Sequence, residues 1–177
     1  MAGFWRIYVI TWINCGYIRQ REYNMTSLPK ISLVTVSYNQ GVYIEDTILS
    51  VLNQNYPKLE YIIIDGGSDD NSIEIIQKYE KHLAYWVSEK DNGQSNAINK
   101  GFSKASGDIY GWLNSDDRLE PGALATVAES SLQYPEVAAF VGHGRKVDIS
   151  GNTVYYKEPG ELKFERFCAW MDGGNFM

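Results

Sequence analysis

Cysteine is scarce in this sequence: Cys15 and Cys168 are the only two in 177 residues. They form no CxxC pair and no zinc spacing, and a disulfide scaffold needs more cysteine in a smaller chain, so the expected setting is reducing and cytoplasmic. Histidine is equally sparse. His82 and His143 stand far apart in no HExxH or HxH pattern, and neither is expected to bind metal. Basic residues are in deficit, 16 against 22 acidic, for a formal net charge of −6. A nucleic-acid binder needs surplus lysine and arginine to displace counterions from phosphate, so DNA and RNA are excluded as partners, as is a broad polybasic membrane patch. Glycine (16) and proline (5) are too few for a collagen-like or low-complexity chain. GxGxxG, GxxxxGK and GxSxG are all absent. Long apolar runs are missing too. Residues 4–18 are mostly apolar but carry Arg6 and Asn14, and a spanning helix needs about 20 apolar residues. Three readings of the amino terminus stay open: an extension outside the core fold, an interfacial helix, or a cleaved signal.

What is present is the material of one globular domain, 44% hydrophobic and 14% aromatic. From residue 30 onward apolar runs alternate with amphipathic segments. Ile31–Ser37 (ISLVTVS) reads as a buried strand. Residues 41–55 read as a helix with Ile44, Ile48, Val51 and Leu52 at helical spacing, and 61–64 (YIII) as a second strand. Asn71 with Glu74 forms a capping-box pattern opening the next helix. Tyr85–Ser88, 108–113 and 137–141 are expected strands, and 95–105 an expected helix. A further helix is expected to have Pro121 at its first position. Segments 146–149 and 153–156 suggest a hairpin. The pattern predicts an α/β fold, a mostly parallel sheet with helices on both faces.

Ligands of open α/β sheets bind beyond the carboxyl ends of the strands. Here those positions hold Thr35-Val36-Ser37-Tyr38-Asn39-Gln40, Asp65-Gly66-Gly67-Ser68-Asp69-Asp70, Glu89-Lys90-Asp91-Asn92-Gly93-Gln94 and Asn114-Ser115-Asp116-Asp117. Acids at three of four strand ends cannot attract an anionic ligand unaided. The economical resolution is a hard divalent cation shared between carboxylates and substrate phosphates. Asp116 and Asp117 are the candidate ligands; the plainer reading is a solvated turn. Asp65 could accept a nucleobase N–H, or be an Asx-turn residue. Asp69 and Asp70 read as capping groups. Asp91 precedes the turn signal Asn92-Gly93, and Lys100 could reach a phosphate or be an ordinary helical lysine. Trp112 and Trp170 could stack on a sugar face; core packing is the plainer expectation for Trp112.

In order along the chain, Thr35–Asn39, the segment 50–57 (SVLNQNYP), the segment 64–70 (IDGGSDD) and the segment 111–117 (GWLNSDD) resemble the motifs of the family 2 glycosyltransferases, which have the GT-A fold. The segment 91–101 (DNGQSNAINKG) is similar to a block of one bacterial branch of that family. The resemblance implies transfer of a hexose-type sugar, with inversion, from a nucleotide-diphosphate sugar, a UDP-sugar first among them, to a saccharide or lipid-linked acceptor. It implies nucleotide-sugar contacts from Thr35, Tyr38, Asn39, Asp65, Gly67, Asp91, Gly93, Lys100 and Asp116. Mg²⁺ or Mn²⁺ would sit on Asp117 with Asp116 assisting, and would neutralise charge on the departing diphosphate. Residues 1–28 would be an N-terminal extension and 29–177 a GT-A nucleotide-sugar-binding domain, truncated at its C-terminus. The setting would be cytoplasmic, with peripheral association at the inner membrane face left open.

Two features depart from that pattern. The acceptor-activating base of the family usually lies well downstream of the metal motif, and the chain ends about 60 residues after Asp117. No base is assigned; Asp172 is a weak candidate. Asn96 also stands where the branch more often has an acid. The alternative to an active transferase is therefore a catalytically incomplete fragment that binds nucleotide without transfer.

Overall fold

A computed structural model describes residues 5–7, 28–137, 139–142, 144–148 and 152–157. Every residue of Ile31–Ser37 is buried, which for a strand requires cover on both faces. The order of the elements follows from that need. Strand β2 (Ile31–Ser37) leads through α1 (Ile44–Leu52) to β3 (Leu59–Asp65), then through α2 (Ser72–Lys78) to β4 (Tyr85–Ser88). The chain continues through α3 (Gln94–Phe102) to β5 (Ile109–Asn114) and α4 (Ala123–Gln133). The four strands form one parallel sheet in the order β4-β3-β2-β5.

The period-2 alternation sorts the side chains. Ile31, Leu33, Tyr61, Ile63 and Leu113 face a cluster with Ile44, Ile48 and Val51 of α1, Ile76 of α2 and Leu124 and Ala128 of α4. Val34, Val36, Ile62 and Ile64 face Ala97, with Ile98 and Phe102 of α3 packed against them. Helices thus lie on both faces, as the sequence pattern predicts. The second face leaves little room. A Cβ on Gly101 would stand 2.3 Å from Val34 Cγ1. Gly101→Ala is therefore expected to cost about 1–3 kcal/mol through overpacking, read as a lower urea midpoint at unchanged m-value. A midpoint equal to wild type would refute that packing.

Trp5–Ile7 (β1), Gly144–Val147 (β6) and Thr153–Lys157 (β7) form a separate antiparallel sheet in the order β1-β6-β7. The expected hairpin is present, its ends joined by hydrogen bonds between Asp148 and Asn152.

Several local expectations need correction. Residues 137 and 139–141 are not strand. Pro121 lies in a turn ahead of α4, because Gly122 takes a left-handed conformation (φ +83°) that no helix interior accepts. Asn71 makes no side-chain cap on α2. Asp70 supplies that acceptor instead, taking the N–H of Ser72 (2.9 Å) and of Gly41 (2.8 Å). Burial would raise the Asp70 carboxyl, but the Ser72 hydroxyl first, and then these two N–H groups, hold it below the ordinary carboxylate value. Strand β3 runs past its apolar run at both ends, since Glu60 and Asp65 are buried with their carboxylates hydrogen-bonded. Among the described residues no helix is long and apolar enough to cross a membrane.

Candidate functional site

Strand order runs outward from β2 to β3 to β4, then returns to place β5 on the other side of β2. The reversal lies between β2 and β5, and the crevice beyond their carboxyl ends is where such sheets hold ligands. Two loops meet there. Ser37 O accepts the N–H of Gly66 (2.8 Å), and Val36 O accepts the N–H of Ser115 (3.2 Å). The end of β2 is thus flanked by the loop after β3 and the loop after β5.

The β3 loop is built around Asp65, which is fully buried. Its Oδ2 accepts from Gly67 N (3.1 Å), Ser68 N (2.8 Å) and Ser88 Oγ (2.6 Å), and its Oδ1 from Ser68 Oγ. The carboxylate shapes the loop that follows it and ties it to the end of β4. The Asx-turn reading of Asp65 therefore holds; Oδ1 keeps capacity for a further donor. Asn39 (φ +53°) locks the facing segment, accepting the N–H of Asp69 (3.0 Å) and donating its own N–H to Ser68 Oγ (2.8 Å).

The loops after β2, β3 and β4 converge at Gly66. A Cβ there would lie 2.8 Å from Asp91 Oδ2 and 3.4 Å from the Tyr38 ring. Tyr38 is 62% exposed, so its ring is available as a stacking surface beside that carboxylate. Gly67 (φ +83°) runs close to the Lys90 backbone, whereas nothing lies within 4 Å of a Cβ on Gly93 (φ +96°). Asp91 Oδ1 accepts the Gly93 N–H (2.7 Å), which sets the turn into α3.

The β5 loop is held from beneath by α1. Thr47, fully buried, donates one hydroxyl to both Ser115 O and Asp117 O, each at 2.8 Å. Ser50 Oγ accepts the Leu119 N–H and Gln54 Nε2 donates to Glu120 O. Residues 47 and 50 share one face of α1 and Gln54 follows in the turn at its end, so this segment presents polar groups to the loop. Asp117 is 2% exposed and its Oδ2 accepts from Asn114 Nδ2 (3.1 Å). Asp116 is half-buried beside it.

The sequence-predicted residues thus divide. Tyr38, Asp65, Gly67 and Asp91 gather on one side of the crevice, Asp116 and Asp117 on the other. Thr35 is placed differently. It is fully buried and its hydroxyl is bonded to Tyr61 OH (2.9 Å), so its side chain belongs to the core. Lys100 is engaged locally, paired with Glu89 (2.9 Å) and donating to Lys90 O (3.2 Å). Trp112 shares the α3 face of β5, in register with Val34, and at 36% exposure is no core side chain. Asp172, Trp170, Cys15, Cys168 and His143 lie outside the described residues. Sequence reasoning assigned no role to Ser68, Ser88, Thr47 or Gln94, although Ser68 and Gln94 stand in its strand-end clusters. Only Ser68 had a local signal, the turn-forming hydroxyl three residues after Asp65.

A divalent cation fits this donor set. Among the described residues no group of three or more acids, histidines or cysteines is assembled. Mg²⁺ is ordinarily held by one or two carboxylates with waters and substrate phosphates completing its shell. Asp116 and Asp117 supply hard oxygens of that kind.

Residues 32–171 match the family model "Glycosyl transferase family 2". An uncharacterised glycosyltransferase of Mycobacterium tuberculosis is 38% identical over 122 residues, 68% of this chain and 47% of its own length. The poly-β-1,6-N-acetyl-D-glucosamine synthase of Staphylococcus epidermidis is 30% identical over 155 residues, 82% of this chain and 37% of its own length. The chain therefore spans less than half the length of these relatives. Among solved structures, S. aureus TarS residues 1–349 in complex with UDP-GlcNAc shares the fold. Its TM-score is 0.56 at 23% identity, over 60% of this chain and 32% of that one.

Proposed function

Because the chain belongs to glycosyl transferase family 2, we propose that it binds the nucleotide-diphosphate sugar for glycosyl transfer in the crevice between β2 and β5. The observation that carries this reading is the placement of the two acid-bearing loops on either side of the β2 carboxyl end. The Tyr38 ring and the Asp91 carboxylate offer a stacking face and an acceptor for a nucleobase and ribose. Asp116 and Asp117 would hold Mg²⁺ or Mn²⁺, which when bound would neutralise charge growing on the departing diphosphate. Thr47 keeps the backbone of that loop in place while charge develops beside it. Inversion at the anomeric carbon and a saccharide or lipid-linked acceptor complete the proposal. The relative named as a polysaccharide synthase supports an acceptor that is itself a growing polysaccharide. A cytoplasmic setting, at or near the inner membrane face, suits a chain with so little cysteine.

Calorimetric titration with UDP tests the site. Wild type is expected to bind UDP in the presence of Mn²⁺. Asp117→Ala is expected to weaken that binding about 100-fold, the scale of losing a charged partner at a buried site. Equal affinity of the two proteins would overturn the assignment, and absence of heat with every nucleotide diphosphate would overturn the donor site itself. Release of UDP from a panel of UDP-sugars then reads transfer.

A further inference from the structure

We propose that Gln94, acting through Asn114, positions the Asp117 carboxylate and ties the two sides of the crevice together. The inference rests on the donor-site reading above and goes beyond it by naming what orients the metal-side acid.

Two distances carry it. Gln94 Nε2 donates to Asn114 Oδ1 at 2.6 Å, and Asn114 Nδ2 donates to Asp117 Oδ2 at 3.1 Å. Gln94 is the first residue of α3, three positions beyond Asp91; Asn114 is the last residue of β5. The chain of amides therefore runs from the nucleobase side of the crevice to the metal side.

Its polarity is set by chemistry. A carboxylate can only accept, so Asn114 must turn its NH₂ toward Asp117. Its oxygen then faces Gln94, which must donate. The carboxylate alone disfavours the flipped amide, which would aim oxygen at oxygen. If Gln94 is removed, the Asn114 amide loses its second anchor, and its plane, with the donor it offers Asp117, is held from one side only. Thr47 fixes the backbone at Ser115 and Asp117 through their carbonyls but does not touch the Asp117 side chain through those bonds. Backbone and side chain thus have separate restraints, and partners of this outer kind govern metal affinity as ligands do.

The roles are positioning ones, and the test reads metal binding. Free Mn²⁺ is followed by its paramagnetic resonance signal, with Mn²⁺ alone and with UDP present, for wild type, Gln94→Ala, Asn114→Ala and the double variant. Asn114→Ala is expected to weaken Mn²⁺ binding about tenfold or more, and Gln94→Ala about three- to tenfold. The double variant is expected to match Asn114→Ala within about twofold, because Gln94 acts only through Asn114. Gln94 is exposed, so its variant should melt within about 2 °C of wild type, which separates positioning from folding. Unchanged Mn²⁺ affinity in Gln94→Ala, or fully additive losses in the double variant, would overturn the proposal while leaving the donor site standing. Wild type that binds no Mn²⁺ with UDP would overturn the donor-site reading, and this proposal with it.

Discussion

Replacing Asp65 by alanine is expected to lower the folding free energy by about 3–5 kcal/mol, as much as truncating a large core side chain. Its carboxylate serves the N–H groups of Gly67 and Ser68 and the hydroxyls of Ser68 and Ser88. The two hydroxyls can rotate toward other acceptors. The two N–H groups cannot, and a buried donor left without an acceptor costs about 1–3 kcal/mol. Gly67 is also held at φ +83°, so the loop has no relaxed alternative close by. Asparagine is the informative control. Its oxygen can take the Oδ2 position and serve both N–H groups, while its NH₂ donates to Ser68 Oγ, which can accept. Asp65→Asn should therefore retain more than half of the stability that alanine loses. Urea denaturation of the three proteins decides the matter; an alanine variant within about 1 kcal/mol of wild type would show that the loop does not depend on this carboxylate. Because the asparagine protein remains folded, its UDP affinity separates a contact with the base from support of the loop.

At the opposite edge of the sheet, Glu60→Gln is expected to cost about 2–3 kcal/mol. Glu60 Oε1 accepts from Lys30 Nζ (2.6 Å) and Ser106 Oγ (2.7 Å); Oε2 accepts from Ser32 Oγ and Ser106 N (2.7 Å). The carboxylate joins the start of β2, the start of β3 and the turn between α3 and β5. Glutamine cannot satisfy it in either orientation. One places NH₂ against the Lys30 ammonium, the other against the Ser106 N–H. Burial alone would raise the Glu60 carboxyl. The bonds from Lys30, Ser32 and Ser106 outweigh it and hold the group at about 2, against an ordinary 4.5. The sign of the pH effect follows. Below pH 4.5 the unfolded chain takes up the proton first, so stability falls as pH drops, and the loss continues until the folded group protonates near 2. Wild type should lose stability steeply across that window and Glu60→Gln more gently. Parallel pH profiles for the two proteins would refute the assignment.

Much of this fold was legible in the residues. The all-buried β2 and the continuous apolar run of β3 announced a sheet covered on both faces, and strand β4 falls where its composition places it. The errors share one cause. Pro121 satisfies a local rule for helix starts, yet Gly122 beside it adopts a conformation that delays the helix. Asn71 and Glu74 satisfy the capping pattern, yet Asp70 was already placed to accept from both Ser72 and Gly41, a residue 29 positions away. Thr35 sits in a motif whose later residue Tyr38 is exposed, but strand alternation turns its own hydroxyl inward to Tyr61.

Periodicity and turn chemistry are properties of neighbouring residues, so the amino-acid order alone determined the helices and strands of the parallel sheet and the edge on which the acids gather, but not the loss of strand at 137 and 139–141 or the strand at Trp5–Ile7. Partnership across the chain is another matter. That Thr47 would hold the carbonyl of Asp117, 70 positions away, or that Gln94 would reach Asn114, depends on how the helices settle against the sheet. Hydrogen bonds of this kind act over about 3 Å and leave no repeat in the sequence. Only tertiary packing decided which carboxylates are committed to shaping loops, as Asp65 and Asp70 are.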